Sequence, residues 1–475
     1  MKRAPGPYLY LPIEISAREL DSRLLLTAIA VNRGFDVVLG QKWLMQGNLS
    51  YMRPGVLLTK TLTATDGRFM EIAHRRGYRT ASIDEEIPGL IATRQGLRWV
   101  MRKAVEASDL IFAVGEDHHD ALAVKFPDCM GRVTISGNPR WDLLRTELRG
   151  TFAAEAERLK RHHGRFFLIN TNFGLTNSAK GDTQAIIRSL ARSGRIDLAK
   201  AEDRAFIEAA RQLEIANAAC LRELLRILPQ RFPQHRVVLR PHPGEQLRLW
   251  RNVARALPRV SVVREGAAAP WILASDALIH TNCTTGVEAF ALGRPAICLH
   301  PDEPPEMDIY VAPLVNPIAR SVAGCLDLLQ CIASETPFPE PQQAQWRQAF
   351  DRFIAARNGS LAAERIVGAI AGRFFDDTAE IADLACDPWR PKKGYRSAVR
   401  RTRSRMSLMP DIDSAELEAR LQALARCAGI DREFAVEPCG DRIFHIHGNA
   451  VSSRKRLAPA VVAFVHRLAK KGRGL

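Results

Sequence analysis

Residues 276–301 read "DALIHTNCTTGVEAFALGRPAICLHP", and the order of properties along this stretch points to the fold. The apolar run from Ala277 to Ile279 is too short for a helix and reads as a buried strand. The polar stretch "HTNCTTG" follows it. It opens "TTGVEAFALG", whose apolar residues recur at helical spacing and whose last residue is Gly, a frequent helix stop. "PAICLHP" is then a second apolar strand. Strand, loop, helix and strand in that order form the βαβ unit of a parallel sheet.

The same alternation runs in both directions from this unit. Towards the N-terminus lie "HRVVLRPHP" (235–243) and "VSVVRE" (260–265), preceded by a polar helical region near 183–230 and by the strand "RFFLINTN" (165–172). A break near 142–160 separates these from an earlier series. That series has strands at 8–15, 36–40, 55–60, 78–84, 109–115 and 132–137, with helices expected at 17–34, 65–77 and 98–108. Repeated strand–helix alternation implies two Rossmann-like, doubly wound α/β domains. The expected division is 1–150, 151–375 and a helix-rich extension, 376–475. Within the extension, 390–405 reads "RPKKGYRSAVRRTRSR", a linker with eight Lys/Arg and no acid. The helix "DSAELEARLQALARCAGI" and the strand "DRIFHIHG" follow it.

Bulk properties set limits on function. The chain has 475 residues, of which 46% are hydrophobic and 25% charged. This is a folded composition with room for two or three domains. Nine cysteines contain no CxxC pair, so Cys283, Cys298 and Cys325 read as reduced core thiols. No stretch approaches the roughly 18 apolar residues of a membrane span, and no secretory leader pattern is seen, so a cytoplasmic location is expected. The net charge of +16 suits an anionic partner: a nucleic acid, an anionic membrane surface or a phosphorylated small molecule. No P-loop, GxGxxG or GxSxG occurs. Recognised nucleic-acid modules and basic–aromatic interleaving are missing too, so a nucleic-acid partner is not expected.

In an open parallel sheet, ligands bind beyond the carboxyl ends of the strands. The residues after each strand are therefore the candidates. After "DALI" come His280, Asn282, Thr284, Thr285 and Gly286 at a helix start, which offer a phosphate free N–H groups and hydroxyls. Glu288, one turn on, could take ribose hydroxyls. The plainer reading makes Thr284 an N-cap and Glu288 a surface acid. After "HRVVL" come Arg240 and His242 between prolines, cations suited to a diphosphate. After "FFLI" come Asn170 and Asn172. After "RTASI" come Asp84, Glu85 and Glu86. Adjacent acids raise one another's pKa, which suits a general base, although a solvated acidic turn would look alike. After "RVTIS" come Gly137, Asn138 and Arg140. Three other groups rank lower as sites. "EDHHD" (116–120) and the pair His445 and His447 could mimic metal ligands, and "DID" (411–413) reads as an N-cap. No metal and no cofactor is expected.

Taken together, "YLPIEISARELDSRLLL", "SIDEEIPGL", "ISGNPRWDLL", "FFLINTNFG", "LRPHPGE" and "HTNCTTGVEAFALGRPAI" resemble the bacterial surface carbohydrate biosynthesis proteins, which belong with GT-B-type glycosyltransferases. The resemblance covers roughly residues 8–372. It implies a GT-B-like fold, two domains facing a cleft. Sialyltransferases and Kdo transferases of this class share an acidic motif, an HP motif and a Ser/Thr pair. These resemble Asp84-Glu85-Glu86, His242-Pro243 and Thr284-Thr285. By that resemblance an acid of the first motif is the catalytic base, His242 assists the donor phosphate and the threonines bind the phosphate of a CMP-sugar. Ile87 stands where the family has Gly. The resemblance implies transfer of a Kdo- or sialic-acid-like sugar to a lipid-linked or polysaccharide acceptor. The 390–405 linker then has a use at an anionic inner leaflet, where each Lys/Arg contributes about 1 kcal/mol. Two enzymatic alternatives share the fold: a non-hydrolysing nucleotide-sugar epimerase and a CDP-polyol phosphotransferase. A basic, non-enzymatic scaffold is the alternative of another class.

Overall fold

A computed structural model describes residues 7–302, 304–375, 409 and 411–448. The basic linker 390–405 lies outside them. The first domain supplies strands β1 (Tyr8–Ile13), β2 (Asp36–Gln41), β3 (Val56–Thr59), β4 (Arg79–Ile83), β5 (Leu110–Ala113) and β6 (Val133–Ile135). The second supplies β7 (Phe166–Asn170), β8 (Arg236–Arg240), β9 (Val260–Val262), β10 (Ala277–His280), β11 (Ala296–Leu299) and β12 (Ile318–Ala319). Strands β13 (Phe434–Gly440) and β14 (Ile443–Gly448) come last.

The two sheets run β13-β14-β2-β1-β3-β4-β5-β6 and β12-β11-β10-β7-β8-β9. Strands β1–β12 pair in parallel throughout. This is the expected GT-B-like architecture of two doubly wound α/β domains. Strand order reverses between β1 and β3 in one sheet and between β7 and β10 in the other. In open α/β sheets ligands bind at such switch points.

The strands are covered on both faces, and the buried apolar residues on either side of the sheets fall into separate clusters. All five residues of β7 are buried, as are all four of β3, β5, β10 and β11. Helix Ser16–Asn32 is buried from Leu24 to Val31 without interruption. A helix apolar all round must be enclosed, and this one is covered by β2, helix Ala362–Phe374 and helix Ser414–Cys427.

The chain recrosses to the first domain before residue 375. Helix Glu340–Phe353 packs on helix Glu116–Lys125, and helix Ala362–Phe374 packs on Ser16–Asn32. The tail is laid back on the first domain. Strand β14 pairs antiparallel with β2, so the β13–β14 hairpin completes the first sheet. Short-range pattern cannot reveal an edge strand contributed from 400 residues away. The helix expected at 98–108 shrinks to Arg102–Glu106. The Met101 N–H donates to the Leu62 carbonyl at 2.9 Å, which diverts the preceding residues into a connection.

Candidate functional site

The acidic loop follows β4, and its three carboxylates have three different environments. Asp84 Oδ1 accepts from the Glu86 and Ile87 N–H groups at 2.8 and 3.0 Å. This is the side-chain-to-backbone closure that Asp favours in turns. Asp84 is 5% exposed, and burial raises its pKa to about 7, the two backbone bonds opposing the shift. Glu85 is fully enclosed. Its Oε1 lies 3.8 Å from Nη2 of the equally buried Arg23, and its Oε2 lies 3.5 Å from Arg140 Nη1. Glu86 is half exposed and pairs with Arg18 Nη1 at 3.0 Å. Partial desolvation works against its charge, but Arg18 and Lys60 hold the carboxyl down at about 2.

The loop after β6 ties this arrangement together. Gly137 takes φ +84°, open to glycine at no cost, in a place where a Cβ would crowd the Ala355 carbonyl. Asn138 donates to the Asp84 carbonyl at 3.0 Å. Arg140 reaches across the cleft to Glu288 Oε1 at 2.9 Å. Asp142 accepts from Ala362 and Ala363 N–H at 2.8 and 2.9 Å, and so caps the helix that returns to this domain. Asp142 was not singled out in the sequence, although "GNPRWD" ends on it.

Sequence reasoning also missed the floor of the cleft. Lys60, just past β3, bonds Glu19 at 3.0 Å and Glu14 at 3.1 Å. Lys42 pairs with Asp66 and Glu14. Burial disfavours the Lys60 ammonium, but Glu19 and Glu14 hold its pKa well above that of an ordinary lysine. Lysines and acids scattered over 50 residues carry no local signal. They converge only because β1, β2 and β3 are neighbours.

The second domain offers donors. His242 is exposed on the loop after β8. The Gly244 N–H donates to His242 Nδ1 at 3.1 Å, which places the proton of the neutral ring on Nε2. Desolvation by the cleft walls lowers its pKa, and the charges of Arg18 and Glu86 are felt there from the other domain. The buried Glu245 fixes this loop. It accepts from His242 N–H (3.1 Å), Trp250 Nε1 (2.9 Å), Asn177 Nδ2 (3.1 Å) and the Thr171 hydroxyl (2.6 Å). The Glu of "HPGE" was the available clue. Arg240 spends Nη2 on the Glu265 and Gly266 carbonyls, each at 2.9 Å, and its guanidinium lies over Trp271.

Helix Thr284–Ala291 begins at Cys283, with no side-chain cap. The N-cap reading of Thr284 is therefore not what forms. Thr284 instead meets the first domain, since a Cβ on Gly89 would overlap its Oγ1. Beside it, the Ile91 N–H donates to the Ile309 carbonyl at 2.8 Å and the Val311 N–H to the Gly89 carbonyl at 3.1 Å, joining the domains.

The structure turns some candidates inward. His280 is fully buried, and a Cβ on Gly286 would overlap its Nε2. The glycine thus makes room for the imidazole. Burial lowers the His280 pKa to about 3. Asn282, at φ +54°, faces His300 and the Cys298 thiol. Glu288 is held by Arg140. Asn170, the register partner of His280 at the second switch point, has neither amide atom hydrogen-bonded, and Thr281 Oγ1 and both His280 nitrogens are likewise buried and unpartnered. Asn172 is half-buried in the same loop. In "EDHHD", Asp117 holds Ala92 N–H and the Thr93 hydroxyl, while His118 accepts from Val114 N–H. These bonds make the stretch structural. Asp413 caps helix Ser414–Cys427, as read from the sequence.

Among known proteins, no family model matches this chain and no curated protein matches it. Solved structures with a similar arrangement exist. The UDP-GlcNAc 2-epimerase from Neisseria meningitidis, bound to UDP-GlcNAc, has 13% identity and a TM-score of 0.45 over 77% of this chain and 99% of that one. The enzyme of the same name from Methanocaldococcus jannaschii, in complex with UDP-GlcNAc and UDP, has 12% identity and a TM-score of 0.46 over 77% and 99%. A variant of the wall teichoic acid polymerase TagF has 12% identity and a TM-score of 0.49 over 78% and 89%. These are likenesses of overall arrangement. Among the described residues, no helix is long and apolar enough to cross a membrane.

Proposed function

We propose that this chain is an enzyme acting on a nucleotide-activated sugar, and that its reaction is glycosyl transfer to a cell-surface glycan precursor. One observation carries the reading. A carboxyl with pKa about 7, Asp84, stands on one side of a cleft, and on the other a neutral His242 and an uncapped helix start offer N–H groups. In this reaction Asp84 takes the proton of the acceptor hydroxyl as the hydroxyl oxygen bonds to the anomeric carbon. The bond from that carbon to the donor phosphate breaks. His242 Nε2–H, Arg240 and the N–H groups at the Thr284–Thr285 helix start meet the charge left on the nucleotide. Glu86, paired and strongly acidic, is a poor base; Glu85 orders Arg23 and Arg140.

The motif set favours a CMP-linked Kdo- or sialic-acid-like donor, with a lipid-linked or polysaccharide acceptor. A peripheral inner-membrane location would follow from the 390–405 linker. A second reading, epimerisation of the donor itself, is favoured by Glu14, a further carboxylate on the cleft floor that lies close enough to feel Glu86. The test is incubation with CMP-, UDP- and CDP-linked donors, with and without glycan acceptors. Nucleotide release that depends on acceptor supports transfer. A new nucleotide-sugar formed without acceptor supports epimerisation. No turnover of any donor under either condition would contradict the enzymatic reading.

A further inference from the structure

The far end of the first sheet carries a second cluster of ligating groups. His445 and His447 alternate along β14 and so share a face of the sheet. Glu437 of β13 lies directly opposite His445 in the ladder. Its carboxylate is 3.8 Å from His445 Nδ1 and 3.5 Å from His447 Nε2. One ligating atom from each of the three residues lies within 4.8 Å of the others. A tetrahedral zinc site with bonds of about 2.1 Å sets its ligand atoms about 3.4 Å apart, close to the 3.5 Å between Glu437 Oε1 and His447 Nε2.

The surrounding groups are arranged as metal ligands require. His447 Nδ1 donates to the Gly448 carbonyl at 3.1 Å, which leaves the Nε2 lone pair facing Glu437. Asp36, 1% exposed, stands 3.7 Å from His445 Nε2, behind the ring. A carboxylate there orients a ligating His once the pair closes to hydrogen-bond distance. His447 is 6% exposed, yet its Nε2 has no hydrogen-bond partner, nor has Asp36 Oδ2. Two buried, unpartnered polar atoms in one cluster call for an explanation.

We propose that Glu437, His445 and His447 bind one divalent transition-metal ion of the zinc type, with Asp36 positioning His445. The ligating atoms are one Glu437 oxygen, His445 Nδ1 and His447 Nε2. The fourth position goes to water, since the Glu437 side chain is 39% exposed. Asp36 begins β2 and the cleft lies past its other end, roughly 17 Å away along the strand. The ion therefore clips β13 to β14, meets the rest of the sheet only through Asp36, and takes no part in the cleft.

The test uses full-length, untagged protein stripped of metal by chelation, then titrated with Zn(II) or Co(II) alone. We expect one equivalent bound, a rise in thermal midpoint and the visible d–d spectrum of a low-coordinate Co(II) site. His447→Ala abolishes saturable binding. Asp36→Asn keeps the stoichiometry and weakens affinity about 10- to 100-fold. If His447→Ala does not fold, Glu437→Gln decides, because that side chain is half exposed and its loss leaves the fold intact. Failure of the unsubstituted protein to take up metal would overturn the proposal, as would equal uptake by Glu437→Gln.

Discussion

At the scale of single residues, three adjacent carboxylates separate into three roles, and each makes a different prediction. Glu85→Ala leaves Arg23 buried without its carboxylate. Removing one partner of a buried pair costs about 3–5 kcal/mol, so chemical denaturation will show a large loss of stability. Glu86→Ala removes a half-exposed partner of Arg18, and the same measurement will show a change of about 0–1 kcal/mol. Asp84 is predicted to set the pH profile. A base must be deprotonated, so kcat/KM with the donor that turns over will fall below pH about 7. Asp84→Asn will lose both the activity and this limb. Stability moves the other way. The folded pKa lies above the unfolded one, so Asp84's contribution is full below pH about 4 and is lost as pH rises through about 7. A profile that is flat between pH 5 and 8, roughly, would remove Asp84 as the base. The residue types at the strand ends were legible in the sequence. Which acid is buried was not, because that depends on Arg23, Arg140 and Asn138 arriving from other elements.

At the scale of elements, most strands and helices follow from pattern alone. The reading of 284–293 as a helix and 295–301 as a strand rests on local periodicity, and helix Thr284–Ala291 and strand Ala296–Leu299 form within those bounds. Long-range roles were not legible. Gly286 reads as a phosphate-loop glycine, yet its missing Cβ is also what admits His280. Gly286→Ala will force a shift and cost about 1–3 kcal/mol, seen as a lowered denaturation midpoint. Asp142 caps a helix 220 residues downstream. Asp142→Ala will cost about 0.5–2 kcal/mol, the range for a lost N-cap, with amide exchange accelerated at Ala362 and Ala363. Unchanged exchange there would contradict the capping role.

At the scale of the whole molecule, two switch points face one another. Sequence pattern carries the alternation that builds each sheet, but not the return of 340–374 to the first domain or the β13–β14 edge. Truncation after residue 410 will uncover β2 and the apolar partners of Leu421 and Ile446, both fully buried. Size-exclusion chromatography will then show aggregation, and an intact monodisperse product would contradict the sheet order. On this reading the cleft binds a nucleotide through His242 and the helix start at Thr284. The most direct test is a thermal-shift titration with CMP, CDP, UDP and GDP, on the natural chain and on His242→Ala. A ligand at 100 times its Kd stabilises the folded state by about 2.7 kcal/mol. At least one of these nucleotides will raise the midpoint, and the shift will be reduced or lost in His242→Ala. No shift with any of the four, or a shift that the variant keeps in full, would contradict it.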